Sequence, residues 1–594
     1  LATTFLSSPA GAAALTPTLD TIKREAADLS GNFVLSELTS ALPTGAVEVM
    51  IGDKSYYFMP SGENAALLAT LAGTPAGSLV ASENGIFELN GQKYGFDVAS
   101  IPDSVFEYAE NSVKDYNFIV KEADAEGNLT TKRYKINLKP ENFSTSKSIT
   151  WTEVSEAQKD DKDDDLSDGK VSAVIAVRLP NDQTKYFQYT YTKPDGRIIY
   201  STRQVNFTGD VIDADFIGNF LSANYPAGGA IYNTGIRNKI NGNFISNYLI
   251  GNGIQGGAIY NIGTIENITG NFVGNYAAST GNFAYGGAIY NDRATIGSIN
   301  ANFADNYTSL GHSWGGGIAN SGIISSIAGN FISNHTTSNG GAIFNGSIFD
   351  GPDVAINNVY GDFINNYVAS SSSGDDVASG GAIFNGSVFG GFSNVKIGNI
   401  IGDFIGNHVS SVIYSSYGGA IFNGTTKFDY TTSNGYASLG DITGNFIANY
   451  AVSVNDSAYG GAISNYGYAQ YSSLGNITGS FIKNYAVSDS KSAFGGAIYN
   501  GIKDKGSVAL GYVSGNFLNN YVQTKSITQL AYGGAVYTEG NMTFAAGEQK
   551  TYFMSGNYTL GRSYNKRYNA IFVETGAPGE VPVVTFDTAG GGGL

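Results

Sequence analysis

The sequence predicts an all-β protein, most of it a parallel β-helix of about ten to eleven coils, preceded by small antiparallel β-hairpin modules and a short N-terminal helix. Three observations predict it. First, the hexapeptide Gly228-Gly229-Ala230-Ile231-Tyr232-Asn233 returns with its first glycine at Gly256, Gly286, Gly315, Gly340, Gly380, Gly418, Gly460, Gly495 and Gly533. A period of roughly 25 to 42 residues is that of a stacked-repeat architecture. Second, a motif Gly-Asn/Asp-Phe-x-x-Asn-Tyr/His alternates with it, at Gly242–Tyr248, Gly270–Tyr276, Gly329–His335, Gly361–Tyr367, Gly402–His408, Gly444–Tyr450 and Gly515–Tyr521, with looser copies around Phe216, Phe303 and Phe481. Third, Phe216, Phe244 and Phe272 are 28 residues apart, whereas later copies lengthen only between motifs. Constant cores with variable connections describe a coil of fixed β sides and tolerant loops.

Apolar runs such as Ile296-Gly297-Ser298-Ile299, Ile397-Gly398-Asn399-Ile400 and Leu439-Gly440-Asp441-Ile442 introduce the phenylalanine motif, so each repeat is expected to hold three short β segments. Leucine-rich repeats fail because L-x-x-L-x-L is absent, and a propeller needs more alternating runs per unit than are present. Helical repeats fail because glycine and β-branched residues saturate every unit.

The N-terminal third reads differently, and the expected divisions are 1–45, 46–205, 206–575 and a C-terminal strand with a glycine-rich tail at 576–594. Thr16-Pro17 reads as a helix start, with Leu19, Ile22, Ala26 and Leu29 at helical spacing before Gly31. From Ala46 the pattern turns to paired alternating runs. Val47–Ile51 faces Tyr56–Phe58, and Ile86–Leu89 faces Tyr94–Phe96 across Asn90-Gly91, a pair that tolerates positive φ at both turn positions. Tyr116–Val120 pairs with Lys132–Leu138, and Val174–Leu179 with Lys185–Tyr191.

Composition sets limits on function. Among 594 residues are 79 glycines and 39 tyrosines, only 14% are charged, and the net charge is -17. That charge repels nucleic-acid phosphates and anionic lipid. The absence of cysteine excludes disulfides, thiolate metal sites and cysteine nucleophiles, and suits a bacterial protein that crosses an envelope unfolded. No stretch reaches the ~18 apolar residues that span a bilayer. The chain starts at Leu1, and residues 1–15, small and apolar, lack the basic leading region of a complete signal peptide.

Candidate sites are few. Asp161, Asp163 and Asp165 have the alternate spacing of oxygen ligands in a Ca²⁺ loop, but the sixth-position glycine and distal glutamate are missing. A solvated acidic loop is the reading; calcium is the alternative, and no other cofactor is expected. Asn233, Asn261, Asn291, Asn345, Asn385, Asn423, Asn465 and Asn500 are expected to form an amide ladder, each bonding to the next coil. Asn247, Asn275, Asn306, Asn334, Asn366, Asn407, Asn449, Asn484 and Asn520 are expected to form a second. Ile231 and its equivalents form an apolar column. The aromatic column at Tyr232, Tyr260, Tyr290, Phe344, Phe384, Phe422, Tyr499 and Tyr537 is left open between inside and outside, being broken by Ala319 and Ser464.

The alternating GGAI and FxxN tetrapeptides, over roughly residues 206–575, resemble the repeats of chlamydial polymorphic membrane proteins. The longer unit, such as Leu439–Ala451 followed by GGAISN, is similar to large gut-bacterial autotransporter passengers. That resemblance implies a right-handed β-helix, export, outer-membrane-associated exposure at the cell surface, and adhesion. The family's C-terminal membrane barrel has no counterpart here, so an anchor is expected only in a C-terminal continuation.

No enzyme is expected. His335 and His408 occupy the Tyr/His position of a repeat motif, Asp362 and Asp403 stand where Asn271 and Asn445 do, and no acid–base constellation rises above the repeat background. The leading expectation is a surface adhesin or stalk that presents insertions such as Val368–Ser379, Ser410–Tyr417 and Lys427–Ala437 to a host or cell-surface glycan or protein. A self-assembling extracellular structural protein, whose partner is a copy of itself, is the alternative. A polysaccharide-active enzyme comes third.

Overall fold

In the computed structural model the described residues are 29–38, 41–51, 54–59, 80–81, 86–89, 92–96, 115–123 and 129–137, then 147–587 with breaks. The breaks fall at 164–165, 180–182, 202–206, 282, 310, 348–350, 372–376, 389–392, 427–435, 469–470, 504–505, 527, 546–551, 554–556, 562–565, 568 and 575–581. The chain divides into two compact units, one of them Ala10–Lys139. The division runs through the expected 46–205 region and leaves its last hairpin with the β-helix.

Within Ala10–Lys139 the hairpins have the expected partners. Val47–Ile51 pairs antiparallel with Lys54–Phe58, Ile86–Leu89 with Gln92–Phe96, and Asp115–Ala123 with Leu129–Asn137. Alternation buries Val47, Val49, Ile51, Tyr56 and Phe58. The expected helix lies mostly outside the described residues, and Leu29 is not helical: it opens the strand Leu29–Phe33, parallel to Gln92–Phe96.

The β-helix has four faces where three segments per coil were expected, the fourth made of a 3-stranded and a 5-stranded parallel sheet. The phenylalanine face carries Ile-x-x-Ile and Phe inward, as ten-residue strands in early coils (Ile236–Ile245, Thr264–Val273, Thr295–Ala304) and as shorter pieces later (Tyr436–Leu439, Ile442–Thr443, Phe446–Ile447). The tyrosine face follows, 12 strands from Phe220–Ala223 onward, and the hexapeptide face has 11, from Ile231–Asn233 to Ile571–Val573. Between them is the missed face, made of two- and three-residue strands such as His312–Trp314, Ser416–Tyr417 and Ala493–Phe494 that end at the residue before the paired glycines. Strands this short leave no periodicity to read.

Each strand pairs with its own copy one coil on. Phe216 meets Phe244, Phe244 meets Phe272, and Ile231 meets Ile259. The inner isoleucines and phenylalanines form one continuous core, from Ile212 through Phe272 and Ile400 to Phe544, nearly all of it fully buried. Phenylalanine rings stack face to face, 4.6 Å apart for Phe244–Phe272 and 4.8 Å for Phe404–Phe446. With eleven coils at ~4.8 Å the helix is about 50 Å long.

A four-stranded antiparallel sheet braces this helix, its strands in the order Ile149–Val154, Thr184–Thr192, Lys170–Arg178, Lys162–Asp163. It is anchored in widely separated coils. The Tyr191 hydroxyl donates to Asp215 in the first coil, and Arg197 pairs with the same carboxylate at 2.7 Å. Ser333 Oγ and Asn365 Nδ2 both donate to the Ala176 carbonyl at 2.7 Å, and Arg178 Nη1 donates to the Tyr450 hydroxyl at 2.7 Å. Lys170–Arg178 therefore runs across the coils rather than with them, as in orthogonal sheet packing. Ser333 and Asn365 directly follow Ile332 and Ile364, which face outward yet are buried. No helix among the described residues is long and apolar enough to cross a membrane.

Candidate binding face

The hexapeptide explains its own composition. Gly380, at φ 64°, would place a Cβ 2.2 Å from the Ile383 carbonyl, and a Cβ on Gly381 would lie 2.0 Å from Gly419 O of the next coil. Neither position accepts a side chain. After this corner the strand alternates, with Ile inward, the aromatic outward and Asn inward.

The inward asparagines form a continuous ladder. Asn233 Nδ2 donates to Asn261 Oδ1 at 2.8 Å, and the same bond links Asn261, Asn291, Asn320, Asn345, Asn385, Asn423, Asn465 and Asn500 in turn. Asn320 and, at the far end, Thr538 are members that the sequence reading left out. The second Nδ2 proton reaches a backbone carbonyl, as from Asn385 to Ser438 at 2.9 Å. A second ladder runs from Asn219 through Asn247 and Asn407 to Asn557, each asparagine using both its backbone N–H and Nδ2 on the next Oδ1. A third, unforeseen, lies on the outside of the phenylalanine face, where Asn243, Asp362, Asp403 and Asn445 each use a backbone N–H on the preceding coil's oxygen. Burial raises the carboxyls of Asp362 and Asp403, and the Asp362 charge helps to lift Asp403 to about 7.

The aromatic column of the hexapeptide faces outward and is nevertheless buried. Phe344, Phe384, Phe422, Tyr499 and Tyr537 belong to a second core on the outside of the coils. The residue before the paired glycines supplies the other wall: Tyr285, Trp314, Tyr417, Tyr459, Phe494 and Tyr532. Rings stack at 4.7 Å for Tyr285–Tyr290, 5.0 Å for Phe344–Phe384 and 4.6 Å for Tyr417–Tyr459. The two interruptions are compensated. Trp314 fills the volume beside Ala319, and Tyr466, two residues beyond Ser464, enters the same cluster. Burial pushes the hydroxyls of Tyr290, Tyr417 and Tyr499 well above the usual phenol range.

Two rows of insertions border this aromatic seam. One row, containing 368–379 and 410–417, joins the tyrosine face to the paired glycines; the other, containing 427–437, joins the hexapeptide face to the next phenylalanine strand. The first row is itself stacked. Ser453 Oγ donates to Tyr414 O at 2.8 Å, Ser488 Oγ to Asp456 O at 2.6 Å and Thr524 Oγ1 to Lys491 O at 2.6 Å. Lys491–Asp456 and Lys525–Asp489 ion pairs tie successive loops at 3.1 and 2.8 Å. In the second row the three-residue strand Ile231–Asn233 grows to six residues in Ile383–Val388 and Ile463–Tyr468.

Where the second row begins, Tyr285, Tyr290, Asp292, Arg293 and Ser321 line a cleft of about 60 Å³. Tyr260 donates to Asp292 Oδ2 at 2.8 Å, and Ser321 Oγ donates to the Tyr290 hydroxyl at 3.1 Å.

His335 and His408 are rungs of an aromatic column on the tyrosine face, 4.6 Å from Tyr367 and 4.5 Å from Tyr450 respectively. Burial lowers both imidazoles to about 4. Asp305, at a left-handed corner with φ 53°, is raised to about 7 by burial, against an opposing pull from Lys162. Asp161 and Asp163 are exposed, and Asp163 lies in an extended strand opposite Ser172 rather than in a wrapped loop. Asp165 lies outside the described residues. Among the described residues no three carboxylate or imidazole groups cluster as a metal site. Comparison of the chain with protein families, with curated proteins and with solved structures finds no match.

Proposed function

We propose that the chain is an exported bacterial surface protein of the autotransporter-passenger type, a β-helical stalk that binds a host or cell-surface glycan or protein through the insertion rows beside the aromatic seam. One observation carries this reading: the ladders and cores are constant along the helix, and the changes in coil length fall at the two junctions that flank the seam. A buried aromatic layer beside a stacked loop row gives the loops a rigid base, which suits recognition. His335 and His408 are rungs of an aromatic column, and Asp362 and Asp403 are rungs of a ladder.

Shortening 427–437 to the length of the connection in an early coil tests it. Binding to cells or to a glycan array is expected to fall, while the far-UV spectrum and melting temperature stay unchanged. Retained binding by the shortened protein would refute the assignment.

A further inference from the structure

The first coil differs from the others on two faces. Ile199–Tyr200 covers the phenylalanine face ahead of it, paired in parallel with Asp215-Phe216. Only residues 201–210 then lead to the strand Val211–Asp213 on that same face, whereas a whole coil, Phe216 to Phe244, takes 28 residues. Among the described residues no strand of that segment joins the tyrosine or hexapeptide sheet. Phe220–Ala223 and Ile231–Asn233 are left as edge strands of their sheets.

Among the described residues no strand pairs with these edges. All four side chains of Phe220–Ala223 are exposed, and Tyr232 is 55% exposed where Tyr260, one coil on, is 7%. In later coils the alanine carbonyl of the hexapeptide accepts the preceding coil's isoleucine N–H, as Ala258 O does from Ile231 N and Ala288 O from Ile259 N, both at 2.9 Å. Ala230 O has no such donor among the described residues. Among the described residues the buried Asn233 Oδ1 has no hydrogen-bond partner, although in the ladder that atom accepts an amide from the coil before. A buried acceptor without a donor is costly, and its position at an open edge points to a missing strand.

We infer that this edge docks a β-strand from a separate polypeptide, parallel to the coils, with an apolar residue, an aromatic and an amide donor in register with Ile231, Tyr232 and Asn233. The register follows from continuity with the interface already repeated along the helix, Ile on Ile, ring on ring and Nδ2 on Oδ1 at 2.8 Å. The ladder also sets polarity. Its open end is an acceptor, so two copies meeting first coil to first coil would oppose carbonyl to carbonyl. Main-chain bonds would give affinity and the alternate side chains specificity, as in strand addition generally. Phe220, Leu221 and Tyr225 supply an exposed apolar border.

The test uses the full chain and a fluorescein-labelled peptide with the sequence of Gly256–Gly263, GGAIYNIG, followed by anisotropy. Saturable binding is expected. Changing the peptide asparagine to Leu or Asp, which remove the donor, should weaken binding roughly tenfold or more. In the Asn233→Leu variant, with its fold checked by melting, the preference should reverse toward the Leu peptide. The wild-type series decides alone should that variant fail to fold. No binding, equal binding of all three peptides, or a self-associated chain whose dimer excludes the peptide would each overturn the inference.

Discussion

Replacing Asn385 by alanine in the middle of the hexapeptide ladder is expected to open two coil interfaces and leave the rest closed. Asn385 is fully buried; its Oδ1 accepts from Asn345 Nδ2 at 2.8 Å, and its Nδ2 donates to Asn423 Oδ1 at 2.8 Å and Ser438 O at 2.9 Å. Alanine takes the amide donor from Asn423 Oδ1 and Ser438 O, whereas Asn345 Nδ2 keeps the Lys396 carbonyl at 3.0 Å. Two acceptors that each lose a donor, one buried and one half-buried, at about 1–3 kcal/mol each, with a small void, give a local loss of about 3–5 kcal/mol. In a stack where each coil touches only its neighbours, that loss stays local. Hydrogen exchange should therefore accelerate roughly 10²- to 10³-fold in Ile383–Val388 and Ile421–Thr426, with Ile259–Asn261 unchanged. Unchanged protection beside the lesion would refute the ladder's energetic role, and equal acceleration in every coil would refute nearest-neighbour stacking.

Other outcomes follow from the same geometry. Gly381→Ala, whose Cβ would lie 2.0 Å from Gly419 O, should cost about 3 kcal/mol or more, while Gly561→Ala, with nothing within 4 Å, should stay within about 0.5 kcal/mol in a melt. Trp314→Ala, at a fully buried position, should cost about 3–5 kcal/mol in denaturant unfolding. Arg178→Ala removes the Tyr450 bond and a cation–π contact at 5.1 Å; about 1–2 kcal/mol should be lost, read as faster proteolysis within Lys170–Arg178 but not within the coils. The folded imidazoles of His335 and His408 lie near 4, below the free value of 6.5, so neutral rings favour the fold and stability should fall as pH drops from 6.5 toward 4. Tyrosine at both sites should remove that loss, on the order of 1–2 kcal/mol per ring after allowance for partial solvent access. Asp305 has the opposite sign. Raised from 3.8 to about 7, it favours the fold when neutral, so stability should fall as pH rises from about 4 through 7, and Asp305→Asn should lessen that fall in urea midpoints, to which Asp403 adds with the same sign.

The helix was legible because its signals repeat. The position of Asn233 could be read from Asn261 and its other copies, and Phe244 from Phe272, so chance resemblance was averaged out. The fourth face was missed because Ser416–Tyr417 and its counterparts are only two or three residues long, although an aromatic before the paired glycines, as at Tyr285, Tyr417 and Tyr459, was a usable signal. The side of Tyr290 and Phe344 was illegible for another reason. Period-two alternation says that a residue faces away from Ile, but a buried outer face needs a cover, and the cover comes from insertions whose sequences vary. The Tyr191–Asp215–Arg197 anchor joins residues that no local pattern connects.

The ladders also act as a ruler. Phe216 and Phe244 are 28 residues apart in sequence and Phe404 and Phe446 are 42 apart, yet their rings stand 4.9 and 4.8 Å apart along the axis. Amide and ring spacing fix the pitch, so extra residues widen the coil and never lengthen it. Reach is thereby counted in whole coils, while girth and surface chemistry drift freely. Such a molecule can change what it presents in the insertion rows without changing how far it extends.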